Sequence, residues 1–173
     1  MTQKREQILT SALEMFSIEG YDATSTSRVA KSAGVSEGLI FRHFSNKEGL
    51  LNALLQRGSE MIQDYVSFLS EIDDPSERLE SMIDMTFDMS DEHKRFWRLV
   101  YSLKWQADTY DSSLSDPMRK LCKSTFRDLG YKKPKIETEV FMILMDGMMT
   151  SILLRRPKKL KAISQSLKGR FGL

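Results

Sequence analysis

Few side chains in this 173-residue sequence have the types and spacings that covalent or metal chemistry requires. Asp88, Glu92 and His93 resemble a metal-binding group, but the acidic start of an exposed helix explains them better. Cys122 is the single cysteine, which excludes an internal disulfide and suits a reducing cytoplasm. Since the sequence contains no nucleophile–base pair, metal cluster or phosphate loop, we expect no enzyme, metal or cofactor.

The sequence is better suited to noncovalent binding, because it has basic side chains near the N-terminus. Basic and acidic residues are equal in number over residues 1–50. A segment with this charge balance can bind a polyanion such as DNA only if its cations lie on one face. Arg28, Lys31, Arg42 and Lys47 are the candidates, so the elements that position them decide the matter.

Helices account for the whole chain. Apolar residues recur at intervals of three and four, as in Ile8, Ala12 and Phe16, and no segment shows the alternation of a strand. We predict an all-α fold of about nine helices, with a three-helix DNA-binding domain over residues 1–48 and a helical domain over residues 49–173. The longest apolar run, Val140–Leu154, is too short to span a bilayer, so we expect no membrane partner.

Two short predicted helices are separated by the sequence Ala33-Gly34-Val35-Ser36. Gly34 permits a sharp turn, and Val35 is placed to fill the angle between the helices. The second helix is thereby held away from the body of the domain, as in a helix-turn-helix whose second helix enters a DNA major groove. Five apolar residues are expected to form its small core: Val29, Ala30, Val35, Ile40 and Phe44.

Other local signals mark the starts of later helices. Ser45 and Glu48 have the spacing of a capping box, in which each side chain satisfies an amide near the other. Asp74-Pro75 and Asp116-Pro117 each place a capping carboxylate before a proline.

A wider set of residues stands at fixed spacings over residues 8–51: Ile8, Ala12, Phe16, Gly20, Tyr21, Ala23, Thr24, Val29, Ala30, Ala33-Gly34-Val35-Ser36, Gly38, Ile40-Phe41, His43-Phe44, Lys47-Glu48 and Leu50-Leu51. This set resembles the tetracycline-repressor (TetR) family of transcriptional regulators. The resemblance implies a cytoplasmic homodimer that binds a palindromic operator in double-stranded DNA, most often as a repressor, and is released by a small, hydrophobic effector. A helical small-molecule carrier without DNA binding is the alternative.

The resemblance also implies contacts with the DNA backbone. Thr24 and Ser25 would donate to phosphate oxygens or cap the second helix, and Arg28 would meet a phosphate or a base edge. Lys47 would form an anion site together with the N-terminus of the fourth helix.

The second helix of the motif is implied to read the bases from its exposed start, through Ser36, Glu37 and Leu39. Glu37 could accept from cytosine N4, and Leu39, where the family often has a smaller residue, could pack on a thymine methyl group. Three residues after these would contact the backbone: Phe41, Arg42 and His43. Phe41 stands where the family often has tyrosine, so a phenolic contact is excluded.

The segment Val140–Leu154 is apolar on every side, and such a helix is expected to be buried all round. With the apolar stripe of the last helix it predicts an interface in which each subunit contributes two helices to a four-helix bundle. The predicted interface residues are Phe141, Leu144, Gly147, Met148, Ile152, Leu160, Ile163 and Leu167. The alternative is that this helix is the centre of a monomeric core.

Aromatic and methionine side chains are concentrated between the DNA-binding domain and the predicted dimer interface. The sequence contains 11 methionines. Either they line a pocket for a hydrophobic effector or they pack as an ordinary core. The candidates are Met82, Phe87, Met89, Trp97, Tyr101, Trp105, Phe126, Met142 and Met145. The resemblance implies that a helix from Lys47 to about Leu69 changes its tilt when the effector binds.

Overall fold

A computed structural model describes residues 2–104, 112–155 and 157–173. Within these ranges the chain forms nine α-helices, a 3-10 turn at Ser112–Ser115 and no strand. The helices are α1 (Gln3–Glu19), α2 (Thr26–Ser32), α3 (Glu37–Phe44), α4 (Lys47–Ser70), α5 (Pro75–Phe87), α6 (Asp91–Leu103), α7 (Asp116–Asp128), α8 (Pro134–Arg155) and α9 (Leu160–Arg170). The predicted all-α fold and number of helices are confirmed.

Several helix boundaries lie where the local signals predict them. The Asp74 carboxylate caps α5 by accepting from the amides of Ser76 at 2.7 Å and Glu77 at 3.3 Å. Gly20 ends α1 and Gly130 follows α7, with φ angles of +93° and +78° that favour glycine.

The start of α4 differs from the prediction. Its capping side chain is Asn46, whose Oδ1 accepts from the amide of Gly49 at 2.7 Å. Ser45 has a φ of +68°, and its amide donates to the Phe41 carbonyl at 2.9 Å. The predicted capping box of Ser45 and Glu48 is wrong, because Ser45 terminates α3 and lacks the extended backbone of an N-cap residue.

The helices group into two compact units. The N-terminal unit comprises residues 2–60 and 91–104, and the C-terminal unit comprises residues 61–90, 112–155 and 157–173. The predicted single boundary after residue 48 does not separate these two units. Helix α6 lies beyond residue 48, but it packs against α1 and belongs to the N-terminal unit. Helix α4 contributes its first residues to one unit and its last residues to the other.

A close approach of α4 and α6 shapes the N-terminal unit. A Cβ atom at Gly58 would lie 1.8 Å from a ring carbon of Phe96, so the ring fills space that only a glycine leaves open. Beside it, the Arg57 guanidinium contacts Glu6 of α1 at 2.7 Å and Glu92 of α6 at 3.0 Å. Apolar burial and an ion-pair network therefore hold α6 to the N-terminal helices.

The C-terminal unit has its own core, which consists of Leu69, Leu79, Met82, Ile83, Cys122, Phe126, Phe141 and Leu167. The Phe126 ring packs edge-to-face on the rings of Tyr131 and Phe141, with centroids 5.1 and 5.8 Å apart. Burial raises the pKa of the Cys122 thiol to about 12, so at neutral pH it is a protonated core side chain and not a nucleophile.

Helix α8 is not buried all round, which corrects the prediction. Phe141, Met149 and Leu153 are buried, whereas Ile143 is 70% exposed and Leu154 is 73% exposed. An apolar helix that packs on one side only leaves an apolar face outside the chain's own core. No helix in the described ranges is long and apolar enough to cross a membrane.

Candidate nucleic-acid interface

The turn between α2 and α3 has the predicted helix-turn-helix geometry. Gly34 has a φ of +64°, a left-handed conformation that glycine adopts without strain. The Val35 amide donates to the Ala30 carbonyl at 3.0 Å and closes the turn. Val35 itself is half-buried, while the other four predicted core residues of the motif are fully buried: Val29, Ala30, Ile40 and Phe44.

Helix α3 presents one face to the core and the other to solvent. Ile40 and Phe44, one turn apart, are buried. Ser36 and Arg42 are exposed, and the Phe41 side chain is 47% exposed. The remaining predicted contact residues of this helix are half-buried: Glu37, Leu39 and His43. The edge that would meet DNA is therefore accessible.

Thr24 is wrongly predicted as a phosphate ligand. Its residue is fully buried, and its hydroxyl donates to the Gly20 carbonyl at 2.8 Å. The single hydroxyl proton is used inside the protein, where it braces the connection between α1 and α2. Ser25 is exposed and caps α2 by accepting from the Arg28 amide at 3.3 Å, so its own proton can still be donated outward.

Two basic side chains of this region, those of Arg28 and Lys47, already have intramolecular contacts. The Arg28 guanidinium meets both oxygens of the Glu19 carboxylate, at 2.5 Å from Nη1 and 2.9 Å from Nη2. The Lys47 ammonium donates to the Asp22 carbonyl at 3.3 Å and lies 4.3 Å from the centre of the Tyr21 ring. DNA phosphates would have to compete with these partners or extend them.

Tyr21 offers Lys47 a neutral ring face. Burial, followed by the negative charges of Glu48 and Asp22, raises the pKa of Tyr21 above its ordinary value. The Tyr21 ring also packs edge-to-face on Phe16, with centroids 5.2 Å apart. The aromatic pair thus fixes the surface on which the Lys47 side chain rests.

Two functional candidates in this region did not emerge from the sequence. Glu19 is one, because it binds Arg28, and Thr26 is the other, because its hydroxyl donates to Oε1 of Glu37 at 2.6 Å. Thr26 lies within a cluster of hydroxyl residues that predicts the start of a helix. That pattern gives no indication of a contact between Thr26 and α3.

Comparison with known proteins adds a family match over the same part of the sequence. Residues 8–54 match the model of a family described as bacterial regulatory proteins, tetR family. Over these residues the chain is similar to the TetR family. The resemblance predicted from the sequence is thereby confirmed.

Two curated relatives match this chain over part of their length. YvkB of Bacillus subtilis, named an uncharacterized HTH-type transcriptional regulator, is 44% identical over 59 residues, which are 34% of this chain and 31% of YvkB. FasR of Mycolicibacterium smegmatis, named an HTH-type transcriptional activator, is 31% identical over 100 residues, which are 57% of this chain and 46% of FasR. The chain thus spans less than half the length of each. Both are named as regulators and not as enzymes, in agreement with the prediction.

A solved structure extends the likeness to the whole fold. A transcriptional regulator from Aquifex aeolicus VF5 superposes with a TM-score of 0.80 at 20% identity, over 98% of each chain. At this identity the match establishes that the chain shares the helical fold of that regulator.

Most of the residues predicted for a dimer interface lie together in the C-terminal unit. Six line one groove of about 290 Å³: Leu144, Gly147, Met148, Ile152, Leu160 and Ile163. Phe87, Ile143, Ser151 and Pro157 complete the lining. Phe141 and Leu167 are corrected to core residues, because both side chains are buried in the C-terminal core.

The residues predicted for an effector pocket are divided between the units. Trp97 and Tyr101 belong to the N-terminal unit, where their ring centroids are 6.4 Å apart. Met82 and Phe126 are corrected to ordinary core packing in the C-terminal unit. Four further residues predicted for the pocket also belong to the C-terminal unit: Phe87, Met89, Met142 and Met145. Trp105 lies outside the described residues.

Proposed function

We propose that this chain is a transcriptional regulator that binds a palindromic operator as a homodimer. One observation carries the proposal: the Gly34 turn holds α3 so that its N-terminal edge is exposed while Ile40 and Phe44 anchor its other face. An α-helix held in this way can enter a major groove. The family match and the names of both relatives support the same function.

A single α3 offers few base contacts, so such modules act in pairs on half-sites about one helical turn apart. The apolar face of α8 supports pairing with a second copy. Ile143 and Leu154 are largely exposed on it, and the groove between α8 and α9 is lined mainly by apolar side chains. Burying this face in a symmetric contact would remove apolar surface from water in both subunits.

We further propose that a small, hydrophobic effector binds in the C-terminal unit and shifts DNA affinity. Met142 and Met145 are half-buried against its core, and their flexible thioethers can adapt to an apolar guest. Helix α4 belongs to both units and so provides a covalent route between them. The effector can change DNA affinity only by its preference for one of the two states. Repression is proposed on the family pattern, although FasR is named an activator.

Binding of a labelled DNA duplex, measured by fluorescence anisotropy at increasing salt, tests the proposal. Affinity should fall steeply between about 50 and 200 mM salt, because phosphate contacts release counterions. Arg42→Ala on the exposed face of α3 should weaken binding and lower the salt slope by about 1. Lys123→Ala, an exposed cation on α7, is the matched control and should bind as the wild type does.

The rival function, a helical carrier of small molecules, gives the opposite result. A carrier binds no duplex at any of these salt concentrations. Salt-independent binding, or equal losses in the Arg42 and Lys123 variants, would also contradict recognition through α3.

A further inference from the structure

A side-chain hydrogen bond joins the first residues of the two helices of the motif. The Thr26 hydroxyl on α2 donates to Oε1 of Glu37 on α3 at 2.6 Å. Both residues are half-buried, and a hydrogen bond to a carboxylate is stronger than one between neutral groups. This bond therefore sets the direction of the Glu37 carboxylate before any DNA arrives.

A carboxylate bound through one oxygen keeps acceptor capacity on the other. In the major groove cytosine presents its N4 amino donor, whereas guanine presents the N7 and O6 acceptors and thymine the O4 acceptor. Adenine presents its N6 donor beside the N7 acceptor, which would repel a carboxylate. Among the four bases, cytosine therefore matches Oε2 of Glu37 best.

We propose that Glu37 reads a cytosine in each operator half-site and that Thr26 is the positioning residue for its carboxylate. Glu37 is the first residue of α3, at the end of the helix that enters the groove. The assignment rests on the proposed function, since it requires α3 to lie in a major groove. It adds a specific base to that function and gives Thr26 a role beyond the start of α2.

Selection from a random pool of DNA duplexes tests the assignment with the full chain and three variants. The wild type should enrich two half-sites with cytosine at one position, and replacing that cytosine should weaken binding at least about fivefold. Glu37→Gln should lose this preference or change it to adenine, because an amide can donate to N7 and accept from N6. Thr26→Val should reduce the preference, and Thr26→Ser should retain it because serine keeps the hydroxyl.

Thermal unfolding of all four proteins accompanies the selection, so that a base preference is compared only between folded proteins. Identical enriched sequences from the wild type and Glu37→Gln would overturn the assignment and leave Glu37 as a brace between α2 and α3. An unchanged preference in Thr26→Val would overturn the positioning role of Thr26. If the wild type enriches no duplex, the proposed function fails, and the cytosine assignment fails with it.

Discussion

Residues 24–47 of the N-terminal unit and helix α8 of the C-terminal unit both present exposed side chains, but of opposite character. In the first region the polar groups are held by neighbours within the unit, as in the pairs Arg28–Glu19 and Thr26–Glu37. On α8 the exposed groups are apolar, and Ile143 and Leu154 are the clearest cases. The first surface is held by contacts within the chain, whereas the second is the face on which we propose that a second copy packs.

The largest effect is expected from a charge on the apolar face of α8. Ile143→Glu should weaken the homodimer at least about 100-fold, because a buried, uncompensated charge costs about 3–5 kcal/mol. The fold should persist, since the side chain is 70% exposed in the single chain. Sedimentation equilibrium measures the change in dimer affinity, and DNA binding should weaken with it.

Phe68→Glu is the matched control for this variant, since Phe68 is 61% exposed on α4. It adds the same charge to the C-terminal unit and should leave the dimer intact. A dimer that survives Ile143→Glu, or a wild type that is monomeric at all concentrations, would break the contrast between the two surfaces.

A smaller effect is expected where α6 joins the N-terminal unit. Gly58→Ala should lower the free energy of unfolding by about 1–3 kcal/mol, because its Cβ would overlap the Phe96 ring and force the two helices apart. Urea denaturation measures this change. Gly169→Ala on α9 is the control: its Cβ meets nothing within 4 Å, and alanine favours a helix by up to about 1 kcal/mol. Equal unfolding free energies in both variants would contradict a close α4–α6 packing.

The smallest effect is expected at the polar surface. Glu19→Gln should raise DNA affinity about two- to fivefold, because an exposed ion pair is worth less than about 1 kcal/mol and its removal frees Arg28 for phosphate. Glu14→Gln removes the same charge from an exposed position of α1 and controls for the change in net charge. Anisotropy titration compares the two. Weaker binding by Glu19→Gln would show instead that Glu19 orients Arg28 for its contact.

The sequence predicts the helix-turn-helix well because its signals are local. Glycine is favoured where φ is positive, as at Gly34, and two apolar residues one turn apart mark the buried face of α3. The same local signals misled at Thr24 and Ser45. A hydroxyl can bond to a nearby carbonyl instead of an outside ligand, and a capping pattern does not specify backbone conformation.

The C-terminal unit was harder to predict because the hydrophobic pattern of α8 does not show which side of the helix faces the core. When every side of α8 is apolar, hydrophobicity alone cannot tell Phe141, which packs in the core, from Ile143, which is exposed. The predicted effector residues show the same limit, since Trp97 and Met82 belong to different units. Which apolar residues meet depends on how distant helices pack, and short-range spacing does not encode this.

Footprinting on the DNA that flanks the protein's own gene tests most directly whether a pair of α3 helices reads DNA. Protection of a palindrome with two half-sites about 34–36 Å apart, lost in Ile143→Glu, is the expected result. Absence of protection, or full protection of a single isolated half-site by the wild type, would contradict the account.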